Sequence, residues 1–388
     1  MKIPLKYSAR SLFARKLTMA LTVLGIMLVA FVFAAVLMMT NGLEQAMIAS
    51  GNDDNVIVIR QASASEINSF ISRDQAGVIE TLPEIARDES GKSLVVGELI
   101  VIINEKERAS EKEGNVMVRG VEPLSMAVHK GVNITAGRML EFGKTEIVIG
   151  KKTSEKYEGC GLGEILTFGM TDWTVVGIFE ANGASFESEV WGDVNQLMPV
   201  FGRPVYSSMT FTMADPSVFD QMRDRVKGDP RMTVDMKPEK KYYEQQSSSL
   251  GTFISVLGTI ISIVFSLGAI IGAMITMYAA VANRTTEIAT MRALGFKRRS
   301  ILTAFLIEAI TISLIGGILG LVAATFLQSL SISTINWDTF SDLSFSFAMS
   351  EDIIITVMIF SLSMGILGGF LPAVRASRIK IVDALKAE

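Results

Sequence analysis

Four stretches of this chain contain almost no charged residues, and each is long enough to cross a lipid bilayer. They are 17–43, 245–283, 300–337 and 353–374, and Glu308 is the one charged residue within them. A bilayer core needs about 20 apolar residues in helical form. Hydrophobic residues make up 49% of the chain and charged residues 20%, so the two kinds are segregated along it. The pattern predicts an α-helical membrane protein with four transmembrane helices.

The basic residues predict which side of the membrane each loop faces, because Lys and Arg concentrate in cytoplasmic loops. They occur before the first stretch, between the second and third, and after the fourth. These residues are Lys2, Lys6, Arg10, Arg15 and Lys16, then Arg284, Arg292, Lys297, Arg298 and Arg299, and finally Arg375, Arg378, Lys380 and Lys386. The loop between the third and fourth stretches has only acidic charges. We therefore place both termini and the loop 284–299 in the cytoplasm.

The start of the chain also resembles a signal peptide, because a basic segment precedes an apolar run. That run has 27 residues, whereas the apolar part of a signal peptide has about 7–15 and ends at a small-residue cleavage site. We therefore interpret 17–43 as an uncleaved first transmembrane helix.

The long segment between the first two stretches is the predicted outer domain, and at about 200 residues it can form one or two packed subdomains. Residues 41–249 contain 22 Lys and Arg against 32 Asp and Glu, a net charge near −10. This charge argues against nucleic acid or anionic lipid as its main partner, because phosphate binding needs positive charge. Cys160 is the only cysteine, so the domain must depend on its hydrophobic core.

Strand and helix signals alternate in this outer segment. They predict an α+β extracytoplasmic domain of two lobes, inserted between the first and second transmembrane helices. Short apolar runs indicate strands, and apolar residues at helical spacing indicate helices. The predicted strands are 55–60, 94–103, 116–121, 146–149, 165–168, 174–179 and 232–237. Residues 65–85 are predicted to form one or two helices, with Ser65 as N-cap, and 216–227 a short helix.

The second apolar stretch is too long for an ordinary transmembrane helix. Its 39 uncharged residues would extend about 58 Å as one helix, about twice the thickness of the bilayer core. We favour a helix that begins above the membrane as a stalk; the alternative is a polar loop at 245–249 followed by an ordinary helix. The predicted segments are 1–16 (cytoplasmic), 17–43 (first helix), 44–246 (outer domain), 247–283 (second helix with stalk), 284–299 (cytoplasmic loop), 300–328 (third helix), 329–351 (outer loop), 352–372 (fourth helix) and 373–388 (cytoplasmic tail).

Residues suited to catalysis or metal binding are scarce. His129 is the only histidine and Cys160 the only thiol, so neither a His-containing triad nor a common zinc site can be assembled. The run Gly137–Thr145 resembles a phosphate-binding loop but has five residues between its glycines, whereas that motif has four. We expect the chain to bind no metal and no cofactor, and a membrane-anchored enzyme is the least favoured class.

The cytoplasmic loop contains a short predicted helix with apolar residues of its own. Ile288, Met291 and Leu294 fall on one predicted stripe of this helix. A loop this short with an apolar stripe has something to dock against; the alternative is that its basic residues only fix the topology. The residues assigned to this docking element are Arg284, Glu287, Ile288, Met291, Arg292, Leu294 and Gly295, the last as a helix stop.

Glycines and one carboxylate stand out inside the apolar stretches. Glycines four residues apart let helices approach closely, so we expect some of them to line helix contacts. Glu308 is about 12 Å along the third helix from Ser300, and an intramembrane carboxylate is a functional candidate. We favour a partner for a polar group of a neighbouring helix, or a side chain reaching the inner face, over proton transfer. The glycine pairs are Gly268 and Gly272, Gly316 and Gly320, and Gly365 and Gly369.

The sequence resembles the FtsX-like permeases, the MacB/LolC/LolE group of ABC transporters. Residues 284–295 (RTTEIATMRALG) are similar to the signature of that family. The likeness covers essentially the whole chain. Other matching motifs are the N-terminal run 9–26, Glu308 with Gly316, Gly317 and Gly320, the ending 372–385 (PAVRASRIKIVDAL), and, in the outer domain, 118–123 (VRGVEP), 137–138, 146–150 (EIVIG) and 175–178 (VVGI).

This resemblance implies how the chain works and with what. Residues 284–295 would be a coupling helix seated in a groove of a cytoplasmic ABC ATPase dimer, which would hold ATP and Mg²⁺. MacB carries a fused ATPase domain, and here we expect a separate chain. A second permease copy or a paralogue would complete the complex, and ATP-driven closure would tilt the stalks and move the outer domains. A periplasmic adaptor or outer-membrane component and membrane lipid are further expected partners, and nucleic acid is not.

The expected location is the inner membrane, as a multi-pass protein with 44–246 outside. The expected cargo is a lipoprotein, peptide, lipid or drug taken from the periplasm or the outer leaflet. The alternative is a permease that transports nothing and activates an external cell-wall hydrolase.

Overall fold

The computed structural model describes residues 16–110 and 112–379. The predicted cytoplasmic residues 1–15 and 380–388 lie outside the described residues. Two compact units divide the chain. The membrane unit comprises the chain up to Asn41, Thr252–Leu330 and the chain from Phe347 onwards, and the outer unit comprises Gly42–Gly251 and Ser331–Ser346.

The elements follow one another in the order helix, mixed α+β segment, and a largely helical final third. The helices are α1 (Lys16–Ile48), α2 (Arg73–Glu80), α3 (Ser125–Val128), α4 (Lys151–Lys156), α5 (Val194–Val200), α6 (Phe219–Lys227), α7 (Glu239–Ala282), α8 (Thr285–Ala293), α9 (Arg298–Thr325) and α10 (Glu351–Ser377). The strands are β1 (Asn55–Arg60), β2 (Val95–Lys106), β3 (Glu113–Val121), β4 (Asn133–Gly137), β5 (Glu146–Gly150), β6 (Ile165–Phe168), β7 (Thr171–Glu180), β8 (Glu189–Asp193), β9 (Ser208–Thr212), β10 (Val234–Pro238), β11 (Ser331–Ile335) and β12 (Asp342–Ser346). Short 3-10 turns occur at Glu66–Asn68, Ser185–Ser188, Pro216–Val218 and Phe326–Ser329.

Within the described residues, four helices are long and apolar enough to cross a membrane: α1, α7, α9 and α10. Their buried residues range from Ala to Phe, and α1 packs through Ala30 and Ala34 near Leu321 of α9 and Val357 of α10. Most of the large aliphatic side chains on α7 are exposed. This outward distribution is expected for helices whose surroundings are lipid, because lipid tails solvate Leu and Ile as well as a protein core does.

Helix α7 is continuous over 44 residues, which corresponds to about 66 Å. It begins at Glu239, inside the segment 44–246 that the sequence assigned to the outer domain. Residues 245–251 are helical, so the alternative of a polar loop there is wrong. Ser247 and Ser248 donate their hydroxyl hydrogens to the carbonyls three residues earlier, and in this way the polar side chains are satisfied within the helix.

The outer unit is built on one continuous sheet. Its described strands number ten, in the order β10-β1-β9-β2-β3-β8-β5-β7-β4, with β6 paired to β7. The 12-residue strand β2 pairs with β9 through its first residues and with β3 through the rest. The two predicted lobes therefore share a sheet through β2.

The first predicted helix of the outer domain has a different start. The turn Glu66–Asn68 follows Ser65, whose side chain makes no capping hydrogen bond. Helix α2 is capped instead by Ser72, which exchanges hydrogen bonds with Gln75 in a capping box. The Ser-x-x-Gln pattern satisfies two amide groups at a helix start, so Ser72 and not Ser65 is the N-cap.

The outer loop between α9 and α10 is a β-hairpin of strands β11 and β12 that belongs to the outer unit. Asp342 accepts hydrogen bonds from the ammonium of Lys156, at 2.6 Å, and from the hydroxyl of Tyr157. The amide of Ser344 donates to the hydroxyl of Ser188 at 3.1 Å. The predicted outer loop 329–351 thus contains two strands, and the alternation in SISTI and DLSFS is typical of half-buried strands.

Candidate functional site

Helix α8 lies in the predicted cytoplasmic loop, and its ends are defined by local hydrogen bonds. Its nine residues run from Thr285 to Ala293. Gly295 adopts a positive φ of 93°, and its amide and that of Phe296 donate to the carbonyls of Arg292 and Met291. This is the Schellman arrangement, which ends a helix with a glycine in the left-handed region.

One face of α8 packs into the chain's own membrane unit. Ile288 is fully buried, and Met291 packs beside it against the neighbouring ends of the other helices. The residues around it include Met277, Val281, Ile301, Phe305, Ala373 and Ala376. Ile288 is therefore part of the core of this unit and is not available to a partner.

Leu294 lies on a different side of α8 and is 69% exposed. The prediction of one docking stripe of Ile288, Met291 and Leu294 is therefore wrong. Residues three apart are separated by about −60° around a helix of 3.6 residues per turn, so two such steps place Leu294 about 120° from Ile288. The exposed face comprises Thr286, Glu287, Thr290, Ala293 and Leu294.

Arg284 lies at the N-terminal end of α8 and contacts two carboxylates. Its Nε donates to Glu287 at 2.8 Å, and its Nη1 lies 3.4 Å from the carboxylate of Glu308 in α9. Its guanidinium carbon lies 5.3 Å from the ring centre of Phe305. The side chains of Arg284 and Glu308 are 12% and 11% exposed. Glu308 thus forms an ion pair with a group outside its own helix.

Arg292 lies at the other end of α8. Its Nη1 donates to the carbonyl of Ser377 at 2.9 Å. Ser377 is the last residue of α10, where backbone carbonyls lack a partner within the helix. Helix α8 is therefore bonded to α9 near its start and to α10 near its end.

The predicted packing glycines fall into two groups. An added Cβ at Gly316 or Gly320 would lie 2.8–2.9 Å from Ile26 or Ala30 of α1. At Gly365 and Gly369 it would collide with Ser313 and Ala309 of α9. At Gly268 and Gly272, by contrast, an added Cβ would meet no atom within 4 Å among the described residues.

Gly268 and Gly272 line an open groove between α1 and α7. The groove has a volume of about 450 Å³ and is apolar apart from Thr22 and Thr276, whose hydroxyls lie 3.0 Å apart in a hydrogen bond between the two helices. Gly25 of α1 widens it from the other side, because no described atom lies within 4 Å of the position of its Cβ.

A second polar cluster is buried in the outer unit, and sequence reasoning missed it. Arg119 of β3 binds Glu189 through two hydrogen bonds, at 2.8 and 2.9 Å, and also binds Glu98 and Glu66. Burial alone would lower the pKa of Arg119, but these carboxylates hold it well above its usual range. Burial raises the pKa of Glu66. An arginine within the apolar run VMVRGV was the signal that could have indicated this cluster.

His129 joins this cluster and is a structural residue. It is buried, with Nε2 2.8 Å from Glu98 and Nδ1 3.5 Å from Glu239, the first residue of α7. Burial alone would lower the pKa of His129, but Glu98 and Glu239 raise it to about 10. Burial alone would raise the pKa of Glu98, but His129 and Arg119 hold it at about 2.

The described residues give no sign of a catalytic or metal centre. Among them, no group of three or more His, Cys, Asp and Glu is arranged to hold a metal. Cys160 is buried, and burial raises the pKa of its thiol to about 12. A thiol with so high a pKa is a poor nucleophile because the thiolate is the reactive form.

Residues 259–381 match the FtsX-like permease C-terminal family, and residues 19–228 match the MacB-like periplasmic core domain. The chain is 25% identical over 414 residues to the macrolide export ATP-binding/permease protein MacB of Bdellovibrio bacteriovorus, covering 98% of this chain and 61% of that protein. It is 24% identical over 407 residues to the ABC transporter permease YknZ of Bacillus subtilis, covering 99% and 98% of the two chains.

Further matches are another ABC transporter permease and the solved structure of an extracellular domain. The ABC transporter permease YvrN of Bacillus subtilis is 27% identical over 420 residues, covering 99% of each chain. The crystal structure of the extracellular domain of YknZ aligns with a TM-score of 0.36 at 18% identity, over 47% of this chain and 99% of that domain. The chain thus spans less than two thirds of the length of the MacB relative and nearly all of the two Bacillus permeases.

The family predicted from the motifs is confirmed. The MacB-like match alone covers more than half of the 388 residues, and the FtsX-like match covers the later helices. With its four apolar helices and α+β outer domain, this chain belongs to the FtsX-like ABC transporter permeases of the MacB type, which are multi-pass proteins of the inner membrane.

Proposed function

We propose that this chain couples ATP hydrolysis by a separate cytoplasmic ATPase to motion of its outer domain, for export or extraction of a periplasmic or outer-leaflet substrate. The observation that carries the proposal is α8: one face is fastened to the permease, and the other exposes Leu294 beside Thr290 and Ala293. An exposed apolar residue on an anchored helix suits a groove of a partner protein. ATP and Mg²⁺ would be bound by that partner.

The test of this proposal uses the exposed face of α8. In complexes co-expressed with candidate ABC ATPase chains, Leu294→Asp is expected to reduce co-purification of the ATPase and permease-dependent ATP hydrolysis at least tenfold. Phe326→Asp is the matched control, because Phe326 is 74% exposed at the opposite end of α9. Its activity should equal that of the wild type. Full activity of Leu294→Asp would place the ATPase elsewhere and overturn the proposal.

Ile288 is unsuitable for this test. Its side chain is buried against the permease itself, so Ile288→Asp would place a charge in the core of the membrane unit. Such a change costs several kcal/mol unless the charge is paired. Loss of activity in that variant would report failed packing rather than failed docking.

The second proposed partner is another permease copy or paralogue, packed on the groove between α1 and α7. Gly268 and Gly272 support this, because small residues at this spacing allow close helix approach and no described residue covers their surfaces. The names of relatives support an export role: MacB is called a macrolide exporter and PvdT of Pseudomonas entomophila a pyoverdine exporter. We propose a similarly amphipathic molecule, peptide or lipid-linked protein as cargo.

A further inference from the structure

Helix α8 is too short to be stable by itself. It has nine residues, whereas isolated helices shorter than about 12–15 residues are marginal in water. Its helical structure and its orientation must therefore come from the contacts that it makes with the membrane unit. Ile288 and Ala289 are buried, and Met291 packs beside Ile288. These apolar contacts lie on one face, and by themselves they do not fix the rotation and tilt of so short a helix.

The two polar contacts at the ends of α8 remove that freedom. Arg292 binds the carbonyl of Ser377 at the end of α10, and Arg284 pairs with Glu308 of α9. A guanidinium presents a planar set of donors and can bind two carboxylates at once. Arg284 does so: it pairs with Glu308 on α9 and with Glu287 on the exposed side of α8.

Glu308 is the one charged residue of α9 beyond Arg298 and Arg299. It lies about 15 Å along the helix from Arg298, in a position that is costly for an isolated charge. Removal of one partner of a buried ion pair is strongly destabilising, because the other charge stays buried. The pairing with Arg284 supplies the compensating charge, and Phe305 covers the guanidinium at a distance of 5.3 Å.

We propose that Glu308 is a positioning residue for ATPase coupling. Through Arg284 it fixes the start of α8 against α9, so that the face containing Leu294 is presented in one orientation. The inference rests on the proposed function only for the identity of what docks there. The ion pair and its effect on α8 belong to the permease alone and are measurable without any partner.

The experiment measures hydrogen exchange of the backbone amides of 285–294 in the full chain, in lipid nanodiscs and without ATPase. Glu308→Met keeps the length of the side chain and removes its charge. It is expected to accelerate exchange in this segment about tenfold or more, because local opening is governed by the contacts that hold the segment. Thr303→Val is the matched control, since Thr303 is an exposed polar residue of the same helix, and its exchange should equal that of the wild type.

A double-mutant cycle separates the ion pair from general damage to α9. If the two side chains act as a pair, Arg284→Met/Glu308→Met accelerates exchange by much less than the product of the two single effects. Arg284→Lys should give an intermediate rate, because one ammonium cannot bind both carboxylates as a guanidinium does. Independent single effects, or unchanged exchange in Glu308→Met, would overturn the proposal.

Binding and stimulation of the ATPase are measured in a separate experiment. Accelerated exchange together with weaker binding and stimulation of the ATPase supports both the positioning role and the coupling function. Accelerated exchange in a permease whose wild type pairs with no ATPase retains the positioning role and refutes the proposed function. Normal exchange with weak ATPase binding would mean that Glu308 acts by another route, and the positioning role fails.

Discussion

At the residue scale, the largest concentration of buried charge is around Arg119. Three carboxylates and the guanidinium are all nearly inaccessible to water, and His129 extends the cluster to Glu239 at the start of α7. Arg119 donates hydrogen bonds to all three carboxylates, and this pairing compensates the cost of burying the charges. A single substitution in such a cluster leaves buried charges uncompensated, so it should cost far more than a surface change.

We expect Arg119→Met to reduce the stability of the outer unit by at least about 3–5 kcal/mol, because three buried carboxylates lose their common cation. Thermal unfolding followed by tryptophan fluorescence measures this directly, since all three tryptophans lie in the outer unit. Arg223→Met is the control: Arg223 pairs with Asp220 and Asp224 at the surface, and its loss should cost less than about 0.5 kcal/mol. Equal losses of stability in Arg119→Met and Arg223→Met would contradict a stabilising role of the buried cluster.

His129 predicts a pH dependence of stability. Its folded pKa of about 10 lies above its ordinary value of 6.5, so protonation favours the folded state. The stabilisation is complete below about pH 6.5 and is lost as the pH rises to about 10. His129→Gln should therefore have a lower melting temperature than the wild type at pH 6, and the difference should shrink towards pH 10. A difference that is constant with pH would refute a charged His129.

At the scale of elements, the apolar stretches were sufficient to predict the four long helices, because the bilayer fixes their length. The alternation of short apolar runs likewise predicted most strands of the outer unit. The wrong predictions concern single residues or short segments. The predicted stripe on α8 is wrong because a spacing of three residues does not stay on one helix face. The hairpin β11–β12 was not predicted: its strands pair with each other across a short turn, but the residues that it contacts, Lys156, Tyr157 and Ser188, are distant in the sequence. Ser65 makes no capping hydrogen bond, whereas Ser72 has the capping-box partner Gln75.

Contacts between elements decide what a glycine substitution does. Gly365→Leu should destabilise the membrane unit, because even a Cβ at that position would collide with Ser313 of α9. Gly268→Leu should leave the chain folded, because its position is open, and should instead weaken self-association if a second copy occupies the groove. Melting temperatures in detergent measure the destabilisation expected for Gly365→Leu, and size-exclusion profiles measure the weaker self-association expected for Gly268→Leu. Equal destabilisation by both variants would contradict this assignment.

At the scale of the whole molecule, the arrangement across the membrane is a prediction from the basic loops. The buried Cys160 allows a clean test, because its thiol is inaccessible and should not react. Leu294→Cys places an exposed thiol on α8, and Met170→Cys places one at a fully exposed turn of the outer unit. In intact cells, a membrane-impermeant maleimide should label the variant at 170 at least tenfold faster than the variant at 294. The reverse order would invert the topology.

The hairpin β11–β12 is the last part of the outer unit to be synthesised, because it follows α9 in the chain. A ribosome completes Gly42–Gly251 before it reaches Ser331–Ser346, the last part of the outer unit. At about 5–20 residues per second, the intervening segment and the hairpin take about 5–20 s to make. During that interval Lys156 and Tyr157 lack Asp342, their later partner, so the outer unit spends its first seconds beyond the membrane with an unfinished surface. The outer unit is therefore completed only after α9 and the hairpin have been made.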